Sequence, residues 1–238
     1  MKVNRTESLT QAYILDSSEL EKLCSRLQNW LVKFSFETTH RDSLKREFAS
    51  LEELIQFENP PNKDIKTLRI SGYSKDLNTR LWLKFDKDQF RNIYISIEGD
   101  EEPAIAINEI VEERIAAIRP WYAVLAQPAI FFIVATLFLL VWLLFIAWSL
   151  LTGRLSREGF TQSFTNTSVW GWIIPFLLGT VTTQVIEKAR QFVFPMGVFA
   201  IGQGAKRHKD KELLRTGVVV AFAISLASSI IATLIFAL

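Results

Sequence analysis

The run RLWLKFDKDQFRNIYISI, residues 80–97, decides the fold of the first half of the chain. Leu81, Leu83 and Phe85 fall on one side of an extended backbone, and Arg80, Trp82 and Lys84 on the other. After the turn-like DKDQF, Ile93, Ile95 and Ile97 repeat the pattern against Tyr94 and Ser96. Successive side chains of a strand point to opposite faces, so each run has one apolar and one polar face. Upstream, Leu68 and Ile70 alternate in the same way and are separated from Arg80 by the turn-like YSKDLN. These three runs predict an antiparallel meander with one face in the core.

Helices flank the meander. Ser18 and Glu21 have capping-box spacing before SELEKLCSRLQNWL, with Leu20, Leu23, Leu27, Trp30 and Leu31 on one stripe. Val32 to Phe36 alternate as a further strand. A second capping box, Ser50 and Glu53, opens a short helix through Phe57, which ENPPNKD ends because consecutive prolines cannot continue it. On the other side, Pro103 to Arg119 predicts a helix with Ala104, Ile107, Ile110, Val111 and Ile118 on roughly one face. The expected domain is α+β, residues 1–120: a short antiparallel sheet with about three helices.

The rest of the chain has a different character. Residues 1–127 hold 18 Lys and Arg against 21 Asp and Glu, a net charge of −3. Residues 128–238 hold 9 against 4, a net of +5. Pro120 to Gly153 contains no charge, and its centre reads IFFIVATLFLLVWLLFIAWSLL, Ile130 to Leu151. Crossing a ~30 Å hydrocarbon core takes about 20 helical residues. Thr216 to Leu238 is also uncharged, and Val169 to Ile186 is uncharged but interrupted by Gly171, Pro175 and Gly179. The reading is an all-α membrane region, 121–238, of three transmembrane helices at about 128–151, 169–186 and 216–238. A basic cytoplasmic loop, 187–215, would join the last two. Lys188, Arg190, Lys206, Arg207, Lys209, Lys211 and Arg215 lie in that loop. The positive-inside rule then places it and the N-terminal domain in the cytoplasm, with the C-terminus outward, in a bacterial inner membrane or its equivalent.

Two clusters carry expectations of binding. The seven loop cations follow the apolar Phe192 to Ile201, a combination suited to anionic lipid headgroups at an interface. Gly202-Gln203-Gly204 bears a slight likeness to a phosphate loop, but no strand is evident before it and the glycine pattern is incomplete. Gly217, Ala221, Ser225, Ser228 and Ala232 form one small-residue stripe, suited to helix packing or to a pore lining.

Chemistry has little to stand on. His40 and His208 are the only histidines and lie far apart in the sequence. Cys24, the only cysteine, sits beside Leu23 on an amphipathic stripe, where a packed thiol is expected rather than a nucleophile. No Cys/His spacing suits a metal, and no nucleotide-binding or hydrolase signature is present. Catalytic residues, metal and cofactor are therefore not expected. The expected partners are the lipid bilayer with its anionic lipids, a second copy of the chain and a cytoplasmic protein; nucleic acid is not expected. The leading expectation is a non-enzymatic integral membrane protein, its cytoplasmic domain binding a ligand or partner on a helical, oligomerising anchor. The alternative is a small oligomeric channel or pore-forming effector gated by that domain.

Overall fold

The computed structural model describes residues 1–87, 91–127, 136, 140, 144 and 187–237. The chain divides into two compact units, one of Met1–Ala123 with Val193–Leu238 and one of Val124–Phe192.

The first unit is built on a six-stranded antiparallel sheet, in the order β1-β7-β6-β5-β3-β4. Its strands are β1 (Lys2–Leu9), β3 (Lys33–His40), β4 (Lys45–Phe48), β5 (Ile65–Tyr73), β6 (Arg80–Asp86) and β7 (Ile93–Asp100). The predicted meander is the centre of this sheet. Leu83 pairs with Ile70 on one side and Ile95 on the other. Leu68, Ile70, Leu81, Leu83, Phe85, Ile93, Ile95 and Ile97 are all buried on one face, as the alternation requires. Two helices, α1 (Ser17–Leu27) and α3 (Glu101–Ala117), contact each other and contribute Leu20, Leu23, Leu27, Ile107 and Val111 to the same core. A short helix, α2 (Leu51–Gln56), follows β4.

The sheet is larger than the expected short one. β1 escapes a pattern reading because KVNRTESL is polar throughout except Val3 and Leu9, and it lies at the edge of the sheet. The capping of α2 follows the predicted box: the Glu53 amide donates to Ser50 Oγ at 3.2 Å, and Glu53 Oε2 accepts from the Ala49 amide at 2.8 Å. For α1 the cap is Asp16, not Ser18. The Glu19 amide donates to Asp16 Oδ1 at 2.8 Å, and Ser18 Oγ donates to the same oxygen at 2.9 Å.

The C-terminal part of this unit departs most from expectation. Residues 197–200 form β8 (Gly197–Ala200), which pairs in parallel with β2 (Tyr13–Asp16), from Tyr13 opposite Gly197 to Asp16 opposite Ala200. Phe199 and Ile201 join the hydrophobic core, and the Phe199 ring stands edge-on to Tyr13 at 5.8 Å. The chain then turns at Gly202 into one helix, Gln203–Ala237, of 35 residues; with Ala123–Ala126 as α4, we call it α5.

This arrangement corrects the membrane reading. Among the described residues, no helix is long and apolar enough to cross a membrane. The expected region of three transmembrane helices, the multi-pass membrane localisation, and the sidedness built on it (cytoplasmic N-terminal domain, outward C-terminus) are overturned by that finding. The physical reason lies in α5. Its helix starts at Gln203, not at Thr216, so the uncharged 216–238 continues a helix whose first turns read QGAKRHKDKELLR. Residues 206–215 lie on that helix and not in a loop, and Arg215 is buried. The expected spans at 128–151 and 169–186 lie outside the described residues, save Thr136, Leu140 and Leu144, which are helical.

Candidate functional site

Where α5 begins, its first turns face the end of β6 and the stretch before β5 across a narrow cleft of about 90 Å³. Asp64, Lys87, Arg207, His208, Lys211 and Arg215 provide its polar wall, and Phe199 and Val198 its floor. Arg207, Lys211 and Arg215 are spaced by four residues, so they fall on one stripe of the helix. Like charges at this spacing disfavour a helix by about 0.2–0.5 kcal/mol per pair. The stripe therefore persists against a local penalty.

The cations are held in different ways. Arg207 Nη2 meets Asp64 Oδ1 at 2.8 Å, and Nη1 donates to the Asn59 carbonyl at 2.8 Å. Lys87 Nζ meets the other Asp64 oxygen at 2.5 Å. Arg215 is fully buried. Its Nε donates to the Val193 carbonyl at 2.5 Å, its Nη1 to Glu212 Oε2 at 2.7 Å, and its guanidinium lies 4.6 Å from the Tyr122 ring centroid. Its Nη2 has no partner among the described residues, and neither has His208 Nδ1. A buried donor left unmatched costs about 1–3 kcal/mol, more for a charged group.

Electrostatics follow this geometry. Burial, then the charge of Arg215, holds the His208 imidazole below its ordinary pKa. Burial, then the neighbouring Lys87, does the same to Lys211. The Tyr122 phenol is pushed up to about 12 by burial. All three directions reflect desolvation, and the lowering at His208 and Lys211 also reflects neighbouring positive charge.

The approach of α5 is set by close backbone contacts. Gly202 has φ +53°, in the left-handed region that glycine adopts freely, and a Cβ there would lie 2.5 Å from the Phe57 and Glu58 carbonyl oxygens. A Cβ on Gly204 would collide with the Phe199 carbonyl oxygen. Asn59 ties the turn down: its Nδ2 donates to the Ile201 carbonyl at 3.3 Å, and its Oδ1 accepts from the Ile65 amide at 3.0 Å. The strand that seemed missing before the glycine pair is β8. The first amides of α5 already serve the Glu58, Ile201 and Gly202 carbonyls, so side chains must make any contact to a ligand.

The seven cations singled out in the sequence separate into groups. Arg207, Lys211 and Arg215 line the cleft. Lys206 and Lys209 are exposed on α5. In the second unit, Lys188 is exposed, and Arg190 pairs with Glu187 at 2.5 Å and donates to the Ala126 carbonyl. Gly217, Ala221, Ser225 and Ser228 are exposed positions of α5, and Ala232 lies on the same helix. A Cβ on Gly217 would meet nothing within 4 Å. Sequence reading missed Asp64, Lys87, His208 and Asn59. The four-residue spacing of Arg207, Lys211 and Arg215 was the available signal, and it becomes legible only once 203–215 is read as helix.

Elsewhere, Cys24 is buried and burial pushes its thiol up to about 12, which keeps it protonated and unreactive. Among the described residues, no three His, Cys, Asp or Glu side chains gather closely enough to hold a metal ion. No protein-family model, curated protein or solved structure matches this chain.

Proposed function

We propose that the α+β unit is a non-enzymatic binding module that takes an anionic group of its ligand or protein partner into the basic cleft. One observation carries the reading: Lys87, Arg207, Lys211 and Arg215 line a cleft in which, among the described residues, one carboxylate, Asp64, also lies, and that carboxylate is held by two of them. A pocket lined by one sign of charge with low-dielectric walls concentrates the opposite sign. Among the described residues that line the cleft there is no serine, threonine or cysteine for His208 to activate. The channel alternative needs spanning helices and draws no support from the described residues.

The full-length protein titrated with potassium phosphate, sulfate and acetate at constant ionic strength provides the test. Tryptophan fluorescence reports it, since Trp121 Nε1 donates to Glu212, the carboxylate that also holds Arg215. A saturable response to one or more of these anions, weakened in Lys211→Gln, is expected. A flat response to all three would remove the reading.

A further inference from the structure

We propose that this chain associates with a second copy of itself through the outer edge of β1, so that two six-stranded sheets join into one across a twofold axis at Thr6. The surface lies apart from the basic cleft, and the proposal does not rest on that cleft.

β1 is an edge of the kind that accepts another strand. It runs eight residues, Lys2–Leu9, without a proline. Its register on β7 is unbroken from Lys2 opposite Asp100 to Leu9 opposite Ile93. The other edge strand, β4, has only four residues. Short strands, prolines and bulges are what protect an edge from pairing, and β1 has none of these. The Met1 carbonyl accepts from the Glu101 amide at 3.1 Å, which fixes the alternation of the ladder. Odd-numbered residues turn their backbone groups to β7, and Lys2, Asn4, Thr6 and Ser8 turn theirs outward. Among the described residues, no second strand pairs with them, and their side chains are exposed.

The side chains choose the occupant. With Thr6 opposite Thr6 of the second copy, the outward backbone groups of Asn4 meet those of Ser8, and the hydrogen-bonded pairs fall where the ladder needs them. On the face that carries α3, Arg5 then stands opposite Glu7 and Val3 opposite Leu9, each pair occurring twice by symmetry. Opposite charges facing each other across an antiparallel pair stabilise it, and like charges destabilise it. Moving the axis to Arg5 or to Glu7 keeps the backbone pairing but sets Arg5 against Arg5, or Glu7 against Glu7. Charges on the core side of an edge strand turn away partners that lack their complement. In β1 both members of the complement lie on one strand, so the strand it admits is its own copy. Arg5 already holds its own Glu7 and Glu112 of α3, each at 2.8 Å. Glu7 of the second copy extends this into an alternating ladder of charge. Val3 also borders a groove of about 280 Å³ with Ile97, Ala104 and the half-exposed Ile105, and the Val3–Leu9 pair adds apolar cover at its rim.

The test uses the full chain. Sedimentation velocity over a concentration series should reach twice the mass of one chain. A single-chain mass throughout would overturn the proposal and leave the edge to a different strand. Arg5→Glu, folded by circular dichroism, should weaken association at least about tenfold, because both cross-strand charge pairs become repulsive. Adding Glu7→Arg restores opposite charges across the axis and should recover association. A dimer undisturbed by Arg5→Glu, or a folded double variant as weak as the single one, would overturn the proposal. Cysteine linking reads the register. In Thr6→Cys the two Cα atoms lie about 5.5 Å apart across the axis, inside the ~4.4–6.8 Å that a disulfide spans. In Ser8→Cys they lie roughly 14 Å apart. Cys24 is buried, so mild oxidation should link the Thr6→Cys variant and leave the Ser8→Cys variant single. Equal linking of the two, or no linking of Thr6→Cys, would overturn the proposed pairing, and this arm decides if Arg5→Glu does not fold.

Discussion

Single buried polar side chains set much of what this domain tolerates. Asn59 is fully buried with φ +48°, a region asparagine enters more easily than most residues. Its amide joins the Ile65 backbone to the carbonyls of the β8 turn, so one side chain fastens two distant stretches. Asn59→Ala should cost about 2–4 kcal/mol, since several buried partners lose their match. Asn59→Gly relieves the backbone and should recover ~1 kcal/mol of that; urea unfolding of both variants gives the comparison. His40 is also fully buried, with Nδ1 2.7 Å from the Lys63 carbonyl and Nε2 2.6 Å from Thr38 Oγ1. A neutral ring satisfies both contacts by donating from Nδ1 and accepting at Nε2. Burial, chiefly, lowers its pKa in the folded state from 6.5. The unfolded chain then takes up a proton below about pH 6.5 that the folded chain resists. Stability from this residue is complete above that pH and declines as pH falls towards the folded pKa. Wild type should therefore lose urea resistance between pH 7.5 and 5, and His40→Gln should lose less over the same interval. His208 shifts in the same direction and accounts for part of what remains in the variant.

Elements were legible where their own residues decided them. β6 and β7 showed their alternation plainly because one face is core and the other is not. α2 announced its start because both halves of the capping box are local. The α1 cap misled because Asp16, Ser17 and Ser18 all suit that position, and the choice is made by β2, which keeps Asp16 extended to its last residue. The consequence is measurable. Asp16→Ala should destabilise the domain by about 1 kcal/mol, the usual value of an N-cap. Ser18→Ala should fall within ~0.5 kcal/mol of wild type, because its hydroxyl only supports the capping carboxylate. Equal losses in thermal unfolding would return the cap to Ser18. The basic stripe failed to register for a related reason. Arg207, Lys211 and Arg215 look like undirected loop charge until Gly202 turns the chain and Gln203 starts a helix. Gly202 turns against the Phe57 and Glu58 carbonyls, more than a hundred positions away, which no local pattern contains.

At the scale of the molecule, the two ends of the chain complete one fold. Among the described residues, β2 pairs with β8 and no other strand, and β8 arrives from beyond residue 192. The composition change near residue 128 suggested that everything after it was foreign to the N-terminal domain; the structure returns Val193 onward to that unit. A chain ending at Phe192 should then fold poorly. It loses Phe199 and Ile201 from the core, worth about 1.5–3 kcal/mol each by burial. It also leaves Asn59 without its carbonyl acceptors and Asp64 without Arg207. Those losses together approach the 5–15 kcal/mol that holds a typical domain. The truncated chain should show no cooperative thermal transition, or one far below that of the full chain. Phe199→Ala in the full-length protein separates this cause from truncation in general. It empties one core position and should cost about 3–5 kcal/mol. If Phe199→Ala matched wild type in urea while the truncation unfolded, the contribution of 193–238 would have to come from α5 and its ion pairs, and not from β8 completing the core.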